Sequence, residues 1–482
     1  MKSQKTKSQL LQSSPGFNYI YLVQPLFNAA FYGLKFTFVL YIIDLFSLTE
    51  KEAISLFAAF MTLCYATSLI GGYLADNGLG IREASISGGI LMVLGLMCIL
   101  FPSQDLCFLG LALMSLGSGL FKPNLLTAVG LIFENPKDPK KDGAYSVVFI
   151  AWNLGTFIIP AICAFIGKIY GWHYGILLLA SIFMVATYLF YKTMRFHSSY
   201  KEQAATFSQS KLWGATLLLI PLFYLLFKYR ASFHGMMGII ICGSILYLGR
   251  IVYQCQGQER KDILSVISYI LLFALLCTLY EQAGTSFLLF LENAVDRDVM
   301  GIILPSATIL SLNSLLIAAW GFILLPLSKK YLERKPMAGF TKAGYGFLFA
   351  ALGYWILALG TYQEGGTSVP LPWIVGAMFV QVIGELWIVP ITISRISQYS
   401  PPRFQSVLMS FWLMAIAWGH YAGGFIAQFS LVTGTASENS LSDGSLEHYR
   451  TFFFSLGLIP LAVGLLIFLY QGMKPRILAK AS

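Results

Sequence analysis

The sequence predicts an all-α polytopic membrane protein of fourteen spans, built as two six-helix halves with two extra helices in the central linker. Three observations predict it. Of 482 residues, 57% are apolar and only 11% charged, against roughly a quarter charged in a soluble domain. Apolar runs of about twenty residues, the length that crosses a ~30 Å hydrocarbon layer, recur from one end of the chain to the other. Lys and Arg gather in alternate loops, as the positive-inside rule requires.

With short polar or Gly/Pro breaks as boundaries, the spans lie near 17–46, 52–75, 84–101, 105–133, 143–168, 172–194, 211–229, 233–253, 263–292, 299–328, 340–362, 370–398, 404–431 and 449–472. Those at 84–101 and 211–229 are close to the shortest that can span, and the longer ones can tilt or project. The stretch from Met1 to Gly16 is polar, with Lys2, Lys5 and Lys7, and is not expected to act as a removable signal.

With the N-terminus inside, about three quarters of the 32 Lys and Arg fall on the inner side, among them Lys137, Lys140, Lys141, Arg195, Arg260, Lys261, Lys329, Lys330, Arg334, Lys335, Lys474 and Arg476. The polar loop 432–448 carries Glu438, Asp443 and Glu447 without Lys or Arg and falls outside. Both termini are then cytoplasmic. The formal charge of +10 is therefore a topology signal and not a nucleic-acid footprint.

The spans at 211–229 and 233–253 stand between two groups of six, flanked by polar segments at 195–210 and 254–262. This divides the chain into an N-terminal half at 1–194, a linker with two additional helices at 195–262, and a C-terminal half at 263–482. Large secondary transporters commonly have two six-helix halves of inverted three-helix repeats, with the solute site at the midplane.

An ionisable side chain at mid-bilayer costs at least about 2.5–3.5 kcal/mol, so those that persist usually face a cavity or each other. Four stand out: Lys35, Lys122, Glu281 and Glu385. Each falls on the first helix of a three-helix repeat, two cations in the N-terminal half and two carboxylates in the C-terminal half. A hydrated chamber holding all four suits a small zwitterion, its carboxylate toward the lysines and its ammonium toward the glutamates. The same charges also suit two ion pairs between the halves, and the two roles are compatible.

Polar and aromatic residues in the spans add to a wet site: Tyr32, Tyr65, Asn153, Gln282, Asn313, Trp412 and His420. Taken one by one, an intramembrane Asn suits an interhelical hydrogen bond, and His420 suits a packed, neutral imidazole. Pro123 follows Lys122 and Pro390 lies about one turn beyond Glu385, which predicts helix discontinuities near both charges. Six of the seven cysteines, Cys64, Cys98, Cys107, Cys163, Cys242 and Cys277, lie in or beside apolar runs without metal-ligand spacing, and read as packing residues. Neither cofactor nor metal is expected.

Several short runs are more specific: Gly71 and Gly72 with Asp76, Gly119-Leu-Phe-Lys122-Pro-Asn124, Asp142-Gly-Ala-Tyr145, Asn153-Leu-Gly155, Tyr280-Glu281-Gln282 and Gly384-Glu385-Leu386. In their order and spacing they resemble the proton-dependent oligopeptide transporter family of the major facilitator superfamily, and the inserted helix pair is similar to that of bacterial members. The resemblance implies a monomer of the bacterial inner membrane that imports di- or tripeptides with protons. It also implies a peptide held by its ends, the carboxylate near Lys35 and Lys122 and the amino group near Glu385, Asn153 and Asn313, with Tyr32, Tyr65 and Trp412 as pocket aromatics. Glu281 matches the helix-seven carboxylate that pairs with the residue matched by Lys35 and takes part in gating.

The chain departs from that family on its first helix. The E-x-x-E-R-F-x-Y-Y-G signature linked to proton coupling is matched by Gln24-Pro-Leu-Phe27-Asn28-Ala-Ala-Phe31-Tyr32-Gly33, without either glutamate or the arginine. Lys35, Lys122, Glu281 and Glu385 remain as the coupling and gating set, with Glu281 expected to titrate during transport. Other readings are a member turned to a different small solute, such as an organic anion, an amino-acid-like compound or a metal-chelating metabolite, working as a uniporter or exchanger, and a solute receptor that does not transport. An enzyme is not expected, because the chain has no HExxH, Gly-x-Ser-x-Gly or mid-span aspartate pair.

Overall fold

A computed structural model describes residues 15–75, 79–131, 140–196, 209–327, 339–362, 368–401, 404–431 and 443–481. It is a set of helices: α1 (Pro15–Phe46), α2 (Glu50–Leu74), α3 (Gly80–Ile99), α4 (Gln104–Leu131), α5 (Lys140–Tyr170), α6 (Trp172–Phe196), α7 (Gln209–Lys228), α8 (Arg230–Gln254), α9 (Gly257–Tyr280), α10 (Ser286–Ala294), α11 (Ser306–Leu327), α12 (Gly339–Gly360), α13 (Leu371–Tyr399), α14 (Gln405–Ala427) and α15 (Asp443–Ala481). A 3-10 turn, Glu281–Gly284, separates α9 from α10, and the two continue one apolar stretch, Gly257–Ala294. Counting them as one broken rod leaves fourteen rods. Among the described residues nine stretches are long and apolar enough to cross a membrane, and Gly155–Tyr170, Leu217–Lys228, Ile240–Gln254 and Ser306–Gly321 are shorter apolar helices. Asp76, Lys137, Lys329, Lys330, Arg334, Lys335 and Glu438 lie outside the described residues, as do the side chains of Lys140, Lys141, Asp142, Tyr145, Lys474 and Arg476.

Two expectations are corrected. The run at 299–328 does not begin as helix: β2 (Asp298–Val299) and β3 (Ile302–Ile303) form a small antiparallel hairpin, and α11 starts at Ser306. Asp296 Oδ1 accepts the Asp298 N–H at 3.0 Å and Asp298 Oδ1 accepts the Gly301 N–H at 2.7 Å. These side chains offer the backbone a turn instead of a helix, and Gly301, at φ 83°, takes the left-handed position. A second small pairing joins β1 (Val295–Asp296) to β4 (Val369–Pro370) in parallel.

The prolines, in turn, do not break the helices that carry them. Pro123 lies inside α4 and Pro390 inside α13, and both helices run on. A proline removes one backbone donor, and in a packed bundle the neighbours re-satisfy the freed carbonyl. The break falls at Glu281, where no proline predicts it.

The described residues form two compact units, one within Met1–Thr37 and Leu63–Arg230, the other within Phe38–Thr62 and Ala231–Ser482, so that α1 and α2 contribute to both. Within the first, α3 crosses α4 through facing glycines: a Cβ on Gly88 would stand 2.6 Å from the Gly117 carbonyl oxygen, and one on Gly117 2.5 Å from that of Gly88. Within the second, α12 crosses α13 in the same way at Gly346 and Gly384. Small residues let helix backbones touch where lipid gives no hydrophobic drive to associate. The first and fifth helices of each set of six also meet at glycine, Gly155 of α5 against Pro25 of α1 and Gly419 of α14 against Cys277 of α9.

α7 of the inserted pair is fastened to the start of α4 by polar contacts. Asp105 Oδ1 accepts the Tyr224 hydroxyl at 2.7 Å and the Lys228 ammonium at 2.9 Å. All three side chains are exposed in part, so the contact specifies where α7 docks more than it stabilises.

Candidate functional site

In the first unit, Lys122 of α4 rests on aromatic faces. Its Nζ lies 3.6 Å from the ring centroid of Tyr65 on α2 and 4.7 Å from that of Phe31 on α1. Lys35, one turn beyond Phe31 on α1, is buried, with its Nζ 5.2 Å from the Tyr32 centroid. The sequence therefore brings Tyr32, Lys35, Tyr65 and Lys122 together within this unit, together with Phe31. A cation placed over aromatic faces is attracted by the ring quadrupoles.

Local packing sets this geometry. α2 and α4 touch where a Cβ on Gly71 would lie 2.0 Å from the Gly119 carbonyl oxygen. The Thr67 hydroxyl donates to the Ser115 carbonyl at 2.8 Å. Helical side chains lean toward the N-terminus of their helix, which carries the Lys122 ammonium back toward Tyr65. Gly71 and Gly119 thus act as spacers for the cation and its cage.

The altered first helix is tightly built. Phe27 stacks flat on Phe121, with centroids 4.9 Å apart and planes 2° from parallel. The Asn28 amide donates to the Gln24 carbonyl at 2.9 Å. Where the resemblance would place a glutamate, an aromatic ring thus packs beside the residue that precedes Lys122. Asn153 is buried on α5, where its backbone carbonyl accepts the Thr156 hydroxyl at 3.0 Å.

In the second unit, the expected residues are spread over four elements. Glu281 and Gln282 occupy the 3-10 turn, Asn313 is half-buried on α11, Glu385 half-buried on α13 and Trp412 half-buried on α14. Gln282 holds the break together: its amide donates to the Gly423 carbonyl at 3.0 Å and to the Thr278 carbonyl at 3.2 Å, and its Oε1 accepts the Ser286 hydroxyl at 2.6 Å. Trp412 stacks on Phe273 at 4.5 Å and 8°, and its indole N–H donates to Thr392 Oγ1 at 3.2 Å. The Tyr280 hydroxyl donates to the Gln381 carbonyl, one turn before Glu385, and so ties the residue before Glu281 to the helix of the second glutamate.

Sequence reasoning missed one member. His420 of α14, expected as a packed neutral ring, has its Nδ1 3.0 Å from Glu281 Oε2, with 1% of its side chain exposed against 12% for Glu281. The available signal was the glycine spacing around it, Gly419, Gly423 and Gly424, which lets α14 close on the broken rod. Among the described residues no group of His, Cys, Asp or Glu could hold a metal ion.

Known proteins resemble this chain in sequence and in fold. A family model described as the POT family matches residues 83–439. The chain is 24% identical over 448 residues to dipeptide and tripeptide permease A of Escherichia coli (strain K12), covering 91% of this chain and 88% of that protein, and 23% identical to the Salmonella typhi permease of that name over the same shares. Among solved structures it is similar to a peptide transporter POT in complex with sulfate, at TM-score 0.83 and 24% identity over 98% of both chains. It is likewise similar to a POT family transporter in complex with 5-aminolevulinic acid, at TM-score 0.81 and 21% identity, over 98% of this chain and 100% of that one. At these identities the solved structures establish the fold.

Proposed function

We propose a function from one premise: the chain belongs to the POT family. It is a secondary transporter that moves di- or tripeptides, or similarly sized zwitterions, across the bacterial inner membrane by alternating access, as a monomer with both termini in the cytoplasm and in symport with protons. The similar permeases are named for dipeptides and tripeptides, and one similar structure holds 5-aminolevulinic acid, itself a small zwitterion. The division at 1–194, 195–262 and 263–482 is part of this reading.

The observation that carries it is the caged cation. Lys122, against Tyr65 at 3.6 Å and Phe31 at 4.7 Å, offers a fixed positive charge in a partly desolvated place. There a solute carboxylate gains more from it than it would in water. Lys122 and Lys35 receive the carboxylate end, and Glu385, with Asn153 and Asn313, receives the amino end. Tyr32, Tyr65 and Trp412 line the solute's path, and Gln282 keeps the turn that presents Glu281. Lys35, Lys122, Glu281 and Glu385 form the coupling and gating set.

The test is uptake of labelled dialanine into proteoliposomes under an imposed inward proton gradient. The expected result is saturable uptake that excess unlabelled di- or tripeptide competes away. Lys122→Ala is expected to raise KM at least about tenfold, as befits loss of a partly desolvated charge partner. Absence of both saturable uptake and counterflow with every di- and tripeptide tried would end this reading.

A further inference from the structure

The apolar run at 299–303 belongs to no helix, and the proposed function does not use it. Val299, Met300, Ile302 and Ile303 make up the tip of the β2–β3 hairpin, and all four are exposed, Met300 fully and Ile303 at 64%. We propose that this hairpin is a membrane anchor whose apolar tip dips into the lipid at the end of the bilayer where α10 leaves and α11 enters.

Three observations favour lipid over water as what the tip meets. The connection is short: α10 ends at Ala294 and α11 begins at Ser306, so the hairpin stays close to the surface from which both apolar helices emerge. Its neighbours mark the height of that surface. The pairing of β1 with β4 sets Asp296 beside Pro370 at the start of α13, where Trp373 is exposed, and Tyr362 is exposed just past the end of α12. Trp and Tyr gather at the boundary between lipid and water. The order of polarity is the third observation: Asp296 and Asp298 are exposed at the base and apolar side chains at the tip. A segment that points from headgroups toward acyl chains has that order.

The hairpin is built stiff. Met300, at φ 56°, and Gly301, at φ 83°, form its two-residue turn, and a type I′ turn needs positive φ at both positions. A long side chain is uncommon in that conformation, where Asn or Gly fits best. The turn itself therefore does not favour methionine, whereas a lipid contact does. At the base the Arg297 guanidinium, 11% exposed, pairs with Glu292 of α10 at 3.1 Å and donates to the Leu304 carbonyl at 3.2 Å. Glu292 also accepts the hydroxyl of Ser306, the first residue of α11. The base is thus tied to both helices.

Backbone chemistry limits the depth. The outer edges of a two-stranded ribbon keep unpaired N–H and C=O groups, which do not enter the hydrocarbon core. An arm of three residues reaches about 10 Å, which matches the ~5–10 Å depth of interfacial segments. Because Arg297 holds Glu292, the anchor fixes the far end of the broken rod, and the 3-10 turn Glu281–Gly284 is left as the place where that rod can bend. Under the topology proposed above the leaflet is the outer one, and the anchor does not depend on that assignment.

The experiment places a nitroxide label on Met300→Cys and on Ile302→Cys, each in the full chain with Cys98→Ser and Cys242→Ser, reconstituted in phosphatidylcholine liposomes. The other five cysteines are buried, so the label reports the new site. Met184→Cys, exposed within α6, is the lipid reference, and Glu447→Cys, exposed at the start of α15, is the water reference. Collisions with oxygen, which concentrates in lipid, are compared with collisions with a water-soluble nickel chelate. The expected oxygen-to-nickel ratio at both hairpin sites is shifted from the Glu447→Cys value toward that of Met184→Cys, equivalent to a depth of about 5–10 Å. A ratio equal to that of Glu447→Cys would overturn the proposal, because the tip would stand in water. Exclusion of both collision partners would overturn it as well, because protein would cover the tip.

Where the labelled variants do not fold, wild-type protein in liposomes is irradiated with a phosphatidylcholine that carries a diazirine on its upper acyl chain, and the adducts are mapped by mass spectrometry. Adducts on residues 299–303 support the anchor, and adducts on the spans with none on 299–303 overturn it. Neither readout involves transport, so absent dialanine uptake would refute the peptide-transport reading and leave the anchor standing.

Discussion

Gly71→Ala tests whether the close approach of α2 and α4 sets the cation cage. The added Cβ would lie 2.0 Å from the Gly119 carbonyl oxygen, 2.5 Å from its carbon and 2.9 Å from the Leu120 Cα, all backbone atoms that cannot swing aside. Ordinary contact begins near 3.4 Å, so the helices must part by about 1.4 Å, a large displacement for a close-packed interior. Overpacking of this kind costs about 1–3 kcal/mol. It also carries Tyr65 away from Lys122, from 3.6 Å toward about 5 Å, where the cation still feels the ring but is held less firmly.

A misplacement of that size at a binding group can cost about a hundredfold in turnover efficiency. The assays are apparent Tm in detergent and kcat/KM for dialanine uptake. Gly72→Ala is the internal control, because nothing lies within 4 Å of its added Cβ. In a helix that exchange is neutral or favourable by up to about 1 kcal/mol. Gly71→Ala should therefore lower both apparent Tm and kcat/KM while Gly72→Ala lowers neither. Equal behaviour of the two variants would refute the reasoning, since only the crossing distinguishes two adjacent glycines.

Two further outcomes follow from the same geometry. Tyr65→Phe keeps the ring under Lys122 and should change KM by less than about threefold, whereas Tyr65→Leu removes a contact of about 1–2 kcal/mol and should raise KM about five- to thirtyfold in the uptake assay. Gly384→Ala would bring a Cβ to 2.5 Å from the Gly346 carbonyl oxygen, beside Glu385, while Gly376→Ala on the same helix meets nothing within 4 Å. Thermal unfolding should show a loss of about 1–3 kcal/mol for the first and little change for the second.

The membrane class, the succession of rods and most of the candidate residues were legible in the chain. Composition and the length of apolar runs report solvent preference, which belongs to each segment by itself. Lys35, Lys122, Glu281 and Glu385 stood out because a charge in a span is costly wherever it points. The resemblance carried further, since Gly71-Gly72, Gly119 to Asn124 and Gly384-Glu385 are short local runs, and Gly71 of the first meets Gly119 of the second where α2 touches α4.

What could not be read were relations between distant segments. The hairpin before α11 hid inside an apolar run because two aspartate side chains, and not hydropathy, turn the backbone there. The prolines misled because loss of one donor can be repaired by neighbours that the sequence does not reveal. His420 and Glu281 are 139 positions apart, and only the closing of α14 on the broken rod makes them partners at 3.0 Å. Hydropathy and charge, summed locally, determined what kind of protein this is. Which charge meets an aromatic face and which meets an imidazole was decided by tertiary packing, because such contacts depend on helix crossings so close that one added Cβ would meet a facing carbonyl oxygen at 2.0–2.6 Å.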